Sequence, residues 1–360
     1  MRIAQLLPTL SYGDAVGNDT RAIKELLIEL GYETQIYAEN IDSRLPKGTA
    51  EFIAKMPKLG NNDVIIYHGS TGTDLNEKLP KCGGRKLMIY HNVTPPHFFE
   101  LYSQDAKDLT EYGLSGIRGL AKKLEYCIAD SEFNKQDLLR MGYTCPIDVC
   151  PILIPFSDYE KRPSEKILEQ YKGDGYTNLL FVGRIAPNKC QEDVLRAFCC
   201  YQKCYNTKSR LVLAGSWDGM ESYYNRLYAY AQMLGIADHV IFTGHIKFDE
   251  ILAWYHLADV FVCMSEHEGF CVPLVEAMFF NIPIVAYSST AIPDTLGGSG
   301  VLLETKEPDK AAWEIYRLVV DRQKRENVLR VQRKRLQDFS HDSVRKILVE
   351  QMTKFINGDT

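Results

Sequence analysis

The sequence comprises 360 residues, of which 45% are hydrophobic and 25% are charged, and its formal net charge is −5. A chain of this length and composition is expected to form two globular domains, each large enough for its own core. The acidic balance argues against nucleic-acid binding, for which a basic excess is typical.

Ten cysteines are present, but none belongs to a CxxC pair, and histidines do not accompany them at metal-ligand spacing. The residues before Pro8 do not form the apolar stretch of a signal peptide, and no apolar run reaches the length of a membrane span. We therefore expect a cytoplasmic protein with free thiols.

Short apolar runs alternate with helical patterns in the first half of the chain, which predicts parallel βα units. The predicted strands are residues 3–7, 33–38, 64–68, 86–90, 126–129 and 147–150. A loop over residues 11–18 follows the first strand, and a helix is predicted from residue 19 to 30. Gly13 and Gly17 would let a phosphate or sugar approach the backbone of this loop, although their spacing is not the fingerprint of dinucleotide enzymes.

A polar and charged stretch between residues 155 and 177 is the predicted domain junction. A second βα series follows it, with strands predicted at residues 178–182, 211–214, 240–242, 260–264, 284–287 and 300–303. The last segment, residues 341–356, is a predicted amphipathic helix with an apolar face. That face consists of Val344, Ile347, Leu348, Met352 and Phe355.

The most informative stretch is residues 265–286, where a glycine-containing turn follows an apolar strand and leads into a predicted helix at 272–280. Such a turn presents the first backbone N–H groups of the helix to an anion. Glu268 lies in the turn and Glu276 inside the helix, with seven residues between them. Alone, Glu276 would be interpreted as a solvated acid and Gly269 as a turn residue, but the whole string is far more specific.

Two cations follow the first strand of the second half. Arg184 and Lys189 are separated by four residues and come directly after the strand and Gly183. Ligands of open parallel sheets bind at the carboxyl edge of the strands, where such cations can neutralise phosphate oxygens. Either cation alone is more often a solvated surface residue, so the interpretation rests on the two cations together, their spacing and the strand before them.

These motifs resemble the retaining glycosyltransferases of family 4, which have the GT-B fold, with two Rossmann-like parallel-sheet α/β domains facing a central cleft. The resemblance implies that Glu268 and the backbone of Gly269, Phe270 and Cys271 face the donor sugar. It also implies that Glu276 binds the ribose hydroxyls of the nucleotide.

By the same resemblance, Arg184 and Lys189 bind the diphosphate, and Gly17 belongs to a glycine-containing donor loop. His91 follows a strand in the string YHNVTPP, at a position where the family has a histidine facing the donor sugar. We expect His91 to bond a sugar hydroxyl or the leaving phosphate, although an isolated histidine of this kind would more often be buried and satisfied by backbone.

The resemblance places an acceptor-side domain at residues 1–157, completed by the C-terminal helix 341–360, and the nucleotide-sugar donor domain at residues 158–340. No metal or other cofactor is expected, because transferases of this fold rely on cationic side chains and helix N-termini. The nearest approach to an Asp-x-Asp motif is Asp130-Ser131-Glu132, which fits a helix cap better.

The predicted activity is the retaining transfer of a hexose-type sugar from a nucleoside-diphosphate donor to a hydroxyl of a saccharide or lipid-linked saccharide, as in polysaccharide biosynthesis. Two alternatives are a nucleotide-sugar epimerase of the same fold and a non-catalytic nucleotide-sugar-binding subunit. An aromatic segment at residues 98–102 and a basic one at 118–123 could give weak peripheral contact with the inner face of the cell membrane. Core packing beside a solvated face accounts for the same residues.

Overall fold

The computed structural model describes residues 1–358, which divide into two compact units. The N-terminal unit comprises residues 1–97, 105–156 and the described chain from residue 339, whereas the C-terminal unit comprises residues 98–104 and 157–338. The chain therefore changes unit at four points, after residues 97, 104, 156 and 338.

Each unit contains one parallel sheet. The strands are β1 (Arg2–Leu10), β2 (Glu33–Ile41), β3 (Glu51–Phe52), β4 (Val64–Gly69), β5 (Arg85–Tyr90), β6 (Tyr126–Ala129), β7 (Ile147–Val149), β8 (Thr177–Val182), β9 (Ser209–Ala214), β10 (Val240–Gly244), β11 (Val260–Cys263), β12 (Ile284–Tyr287) and β13 (Val301–Leu303). The N-terminal sheet has the order β3-β2-β1-β4-β5-β6-β7, and the C-terminal sheet has the order β10-β9-β8-β11-β12-β13.

Helices connect the strands. The α-helices are α1 (Ala15–Glu29), α2 (Leu75–Lys78), α3 (Gln104–Gly119), α4 (Glu132–Arg140), α5 (Phe156–Tyr159), α6 (Glu165–Tyr171), α7 (Gln191–Cys204), α8 (Glu221–Met233), α9 (Phe248–Leu257), α10 (Val272–Phe279), α11 (Ile292–Leu296), α12 (Pro308–Val320), α13 (Arg322–Leu336) and α14 (His341–Asn357). Short 3-10 helices lie at Ile53–Lys55, Leu79–Lys81, Pro96–Phe98, Pro187–Lys189, Ala237–His239 and Gln337–Phe339.

The N-terminal sheet is covered on both faces, as the continuous apolar runs of its central strands require. Strand β4 is buried along its whole length. One face packs against Leu27 of α1 and against Val344 and Leu348 of α14, so the apolar face predicted for the last helix is buried in this unit. The opposite face packs against Ile117 of α3 and Leu138 of α4.

The C-terminal sheet reverses its strand order between β8 and β11. Strands β9 and β10 lie on one side of this pair, and β12 and β13 lie on the other. The chain that follows β8 and the chain that follows β11 therefore continue toward opposite sides of the sheet, and the carboxyl edge between such a pair of strands is where open parallel sheets bind ligands.

Two local features differ from the sequence prediction, and one agrees with it. Helix α1 begins at Ala15 instead of residue 19, because the side chain of Asp14 caps it by accepting the N–H of Gly17. Strand β3 is only two residues long and was not predicted. The predicted cap is confirmed at Ser131, whose hydroxyl accepts the N–H of Asn134 at 3.1 Å.

Among residues 1–358, no helix combines the length and apolar character needed to cross a bilayer.

Candidate functional site

The two predicted donor motifs occupy the loops that leave β8 and β11, the strands at which the C-terminal sheet changes direction. The loop after β8 carries Arg184 and Lys189, and the loop after β11 carries Glu268. The topology thus brings two motifs that are far apart in sequence to one crevice, where open parallel sheets bind their ligands.

Asn188 holds these two loops together. The backbone N–H groups of Glu266 and His267 donate to its carbonyl oxygen at 2.9 and 3.3 Å. The side-chain amide of Asn188 is buried and donates to the carbonyl of His267 at 3.1 Å. These three bonds fix the segment immediately before Glu268 relative to Lys189.

Lys189 and Glu268 form an ion pair, with Nζ and Oε2 2.6 Å apart. The side chains are 21% and 9% exposed, respectively. Burial alone would lower the pKa of Lys189, but the carboxylate of Glu268, together with the thiols of Cys271 and Cys263, outweighs burial and raises that pKa above its ordinary value. The lysine is therefore charged and paired with Glu268.

Arg184 differs from Lys189 in having an unengaged side chain. Within residues 1–358, no hydrogen bond or ion pair holds its exposed guanidinium, while its backbone carbonyl accepts a bond from Gln191 Nε2 at 2.9 Å. The loop backbone is thus fixed and the cation is available. A guanidinium so placed can bind two phosphate oxygens of a ligand at once.

The turn from Glu268 to Cys271 leads into α10. The N–H of Glu268 donates to the hydroxyl of Thr290 at 2.9 Å, and Phe270 and Cys271 are buried. Cys271 has a left-handed backbone conformation with φ of 72°, which turns the chain sharply into the helix. The first N–H groups of α10 therefore follow Glu268 closely in the sequence. This agrees with the prediction that the turn through Gly269 leads from Glu268 directly into a helix N-terminus.

Glu276 lies in the second turn of α10, and both of its carboxylate oxygens are engaged. Oε1 accepts the hydroxyl of Tyr159 at 2.7 Å, and Oε2 accepts the hydroxyl of Tyr255. Burial raises the pKa of Glu276, and the two tyrosine hydroxyls partly oppose this rise. A ribose that binds Glu276, as the sequence predicts, would have to share or displace these tyrosine bonds.

Gly17 lies in the first turn of α1, not in an open loop. Its N–H is accepted by the carboxylate of Asp14, so this amide is already used inside the N-terminal unit. A Cβ at Gly17 would lie 2.6 Å from the carbonyl oxygen of Ser11 and 2.8 Å from Asp14 Oδ1. The glycine is needed for a close approach of backbone to backbone, which is a packing reason that the sequence did not reveal.

His91 follows β5, and both of its ring nitrogens are engaged within the N-terminal unit. Nε2 lies 3.0 Å from Nδ1 of His68, and Nδ1 lies 2.8 Å from Oδ2 of Asp130. The side chain is 2% exposed. A bond from His91 to a sugar hydroxyl, which the sequence predicts, would require one of these two bonds to be exchanged.

Potential metal ligands also meet at this histidine. Atoms of Asp19, His68 and His91 lie within 4.8 Å of one another. The planes of the two rings make an angle of 1°, the ring centroids are 5.3 Å apart, and the two nitrogens are 3.0 Å apart. The difference between these distances equals the two centroid-to-nitrogen distances, so both nitrogens lie on the line between the centroids and the rings share one plane. This is the geometry of an N–H directed along a lone pair. Two ligands of a tetrahedral metal would instead direct their lone pairs at a common point.

The aromatic segment at residues 98–102 packs within the C-terminal unit. The ring of Phe98 lies 6.1 Å from that of His267, and Tyr102 meets Tyr223 edge to face at 5.0 Å. Leu101 is 80% exposed. Most of this aromatic surface is therefore used in packing, which is the simpler of the two explanations that the sequence allowed.

Two parallel-sheet α/β units define the GT-B class of fold, and a solved structure has the same architecture. Anabaena HepE in complex with UDP-glucose matches with a TM-score of 0.74 at 18% identity, covering 98% of this chain and 100% of that one. At this identity, the likeness concerns the fold.

Residues 164–335 match the model of the family described as glycosyl transferases group 1. The matched stretch occupies most of the C-terminal unit of the chain. The resemblance stated from the sequence is thereby confirmed for a glycosyl transferases group 1 domain and for the GT-B fold.

Two relatives illustrate the range of the family. An uncharacterized glycosyltransferase of Methanocaldococcus jannaschii is 32% identical over 171 residues, which are 47% of this chain and 42% of that protein. O-antigen chain mannosyltransferase B of Escherichia coli is 24% identical over 220 residues, which are 60% of this chain and 57% of that protein. The chain thus spans about half the length of these relatives.

Several residues of the site were not predicted from the sequence. Asn188 is part of the R-x4-K string and could have been singled out as the buried polar residue between the two cations. Tyr159 and Tyr255 gave no such indication, because only the fold brings their hydroxyls to Glu276. His68 was not singled out from the sequence, and the structure shows it buried and bonded to His91.

Proposed function

We propose that this protein is a family 4-like glycosyltransferase that transfers a hexose-type sugar from a nucleoside diphosphate to a hydroxyl with retention of anomeric configuration. The observation that supports this most directly is the convergence of Arg184, the Lys189–Glu268 pair and the start of α10 at the direction change of one parallel sheet. This is where such sheets bind ligands, and the cations match a diphosphate.

The cations would act mainly on the leaving group. Negative charge grows on the diphosphate as the glycosidic bond breaks, and preorganised positive charge stabilises that state more than the bound substrate. Arg184 is free to follow the phosphate oxygens, while Lys189 is held by Glu268 at 2.6 Å. In the proposed step, the acceptor hydroxyl attacks the face from which the diphosphate leaves, and the departing phosphate takes the hydroxyl proton.

The donor would be a nucleotide sugar and the acceptor a saccharide or lipid-linked saccharide. The two matched proteins support the donor class differently, since one structure contains UDP-glucose and one relative is named as a mannosyltransferase. No metal is proposed for this step, because Arg184 and Lys189 can supply the positive charge that a metal would otherwise provide.

Membrane contact is proposed only for the basic part of the surface. Arg118, Lys122 and Lys123 are exposed, while the aromatic residues that the sequence grouped with them pack elsewhere. Three basic residues near anionic lipid would contribute about 1 kcal/mol each, enough for weak and reversible attachment near the inner face of a membrane. Flotation with anionic vesicles should recover the protein at low salt and not at high salt, and equal recovery with neutral vesicles would remove this part of the proposal.

Binding and turnover test the main proposal. We expect a nucleoside diphosphate from a panel of uracil, guanine, thymine and adenine forms to raise the melting temperature, because ligand stabilises the fold by mass action. With the matching donor and an acceptor series, the product should retain the anomeric configuration. Arg184→Met should lower the chemical rate more than donor affinity, whereas Arg330→Met, which alters an exposed arginine of α13, should change neither.

The same assay separates the alternatives. An epimerase would convert the nucleotide sugar without any acceptor, and a binding subunit would bind it without turnover. Either result with a donor that binds tightly would replace the transferase proposal.

A further inference from the structure

Gln5, His68, His91 and Asp130 form one row of hydrogen bonds across four neighbouring strands. Gln5 lies in β1, His68 in β4, His91 directly after β5 and Asp130 directly after β6. Gln5 Oε1 lies 3.0 Å from His68 Nε2, the histidines are 3.0 Å apart, and His91 lies 2.8 Å from Asp130. All four side chains are buried, with exposures between 0 and 2%.

The donor and acceptor groups of these residues determine which atom donates in each hydrogen bond of the row. The carbonyl oxygen of Gln5 only accepts, so His68 must carry its proton on Nε2. Burial and the nearby charge of His91 lower the pKa of His68 well below its ordinary value, so this ring is neutral and its Nδ1 accepts. His91 must then donate from Nε2, and one further proton lies between its Nδ1 and Asp130.

A rotation of the Gln5 amide reverses the whole row. The amide nitrogen would then donate to Nε2 of His68, His68 would donate from Nδ1 to His91, and His91 would donate from Nδ1 to an ionised Asp130. Each arrangement makes three hydrogen bonds and leaves one polar atom of Gln5 unpaired. In the present arrangement, that atom is Nε2, which is buried without a partner. The hydrogen-bond count therefore does not choose between the two.

The two arrangements differ by one proton. In the first, His68 carries one ring proton, and His91 with Asp130 carries two protons. In the reversed row, His68 and His91 carry one proton each, and Asp130 carries none. The additional proton comes from the solvent and returns to it.

We propose that Gln5, His68, His91 and Asp130 bind this proton as one unit, and that Gln5, His68 and Asp130 are positioning residues that set the protonation of the His91 ring. The role in sugar transfer depends on the function proposed above. The proton binding itself does not depend on it.

Charged groups that face His91 from the neighbouring elements favour the protonated row. They are Asp14 at the N-cap of α1, Asp19 within α1, and Asp130. Burial alone would lower the pKa of His91, but these three carboxyl groups together raise it above its ordinary value. His68 faces it from β4 as a neutral ring.

The acids themselves respond to the same environment. Burial raises the pKa of Asp130 and Asp14, and it raises that of Asp19 to about 7. Burial also raises the pKa of the nearby Cys150 thiol well above its usual value, which leaves that group neutral. Protons are therefore held tightly throughout this cluster.

Nuclear magnetic resonance of the full chain with nitrogen-15 in its histidine rings tests the proposal without any substrate. As pH rises, we expect His91 to lose one proton, with a midpoint above the ordinary histidine value. We expect His68 to remain neutral and to change from the Nε2–H to the Nδ1–H tautomer with the same midpoint. A His68 ring that keeps one tautomer while His91 titrates would overturn the proposal.

Substitution of Gln5 provides a second test. In Gln5→Glu, a carboxylate can only accept, so His68 cannot change tautomer and the proton affinity of His91 should rise by about tenfold or more. In Gln5→Met, which is similar in size, His91 should still titrate while His68 loses its linked tautomer change. Equal His91 midpoints in the parent and in Gln5→Glu would contradict the row.

If transfer activity is found, its pH profile should shift to higher pH in Gln5→Glu by the same amount as the His91 midpoint. Absence of transferase activity would leave the resonance test intact, so the two proposals fail separately.

Discussion

Asp19 makes the stability of the N-terminal unit depend on pH. Its carboxylate is buried in α1 and accepts the N–H of Leu153 at 2.8 Å. Burial raises its pKa from 3.8 in the unfolded chain to about 7 in the folded protein. Between these two pH values, the folded state binds a proton that the unfolded state has released. For an acid with a raised pKa, the stabilisation is complete below the unfolded pKa and is lost as pH rises through the folded one.

The size of the effect follows from the shift. Between about pH 5 and 8, the parent protein should lose about 2.5 kcal/mol of unfolding free energy relative to a variant that lacks this titration. Asp19→Asn is the suitable variant, because its side-chain oxygen can still accept the N–H of Leu153. The unfolding free energy of Asp19→Asn relative to that of the parent should therefore increase as pH rises.

The measurement must report on the right unit. All three tryptophans, at positions 217, 254 and 313, lie in the C-terminal unit, so their fluorescence serves as an internal control. Hydrogen exchange of peptides from α1, followed by mass spectrometry, reports the opening of the N-terminal unit. A stability difference between Asp19→Asn and the parent that stays constant from pH 5 to 8 would show that Asp19 is ionised in the folded protein and would refute the reasoning.

Two further substitutions test local geometry. Gly17→Ala should cost about 1–3 kcal/mol of stability by overpacking against Ser11, and more than Gly13→Ala, whose Cβ meets nothing within 4 Å but has φ of 80°; comparable urea midpoints would contradict this. Tyr159→Phe should strengthen nucleotide binding by calorimetry if ribose competes for Glu276, by up to about 1.5 kcal/mol, the value of a typical hydrogen bond. Weaker binding would mean that the tyrosine instead positions the carboxylate.

The sequence predicted most of the strands and the positions of the loops that carry Arg184 and Glu268, because these depend on local pattern. Apolar runs of four to six residues mark buried parallel strands, and the strings around Arg184 and Glu268 place cations and an acid directly after such strands. The start of α1 was missed because a glycine and polar residues in its first turn resemble a loop, whereas the Asp14 cap makes them helical.

What the sequence did not predict is the pairing of side chains across the fold. Lys189 and Glu268 are 79 positions apart, and Tyr159 and Glu276 are 117 apart. No periodicity or spacing connects such residues, since their contact depends on strand order and register. The same limit applies to His91, whose two buried partners come from the strands on either side of it.

The position of α14 in the chain has a consequence for biosynthesis. The N-terminal unit is translated first, yet one face of its sheet is covered by Val344, Leu348 and Met352, which leave the ribosome after the entire C-terminal unit. During synthesis, the apolar surface formed by residues such as Ile3 and Ile66 therefore stays exposed to solvent on the side of the sheet that α14 later covers. A nascent chain that stalls before residue 341 would expose an aggregation-prone apolar face of the N-terminal sheet, so synthesis of this fold depends on chaperones that protect such a face.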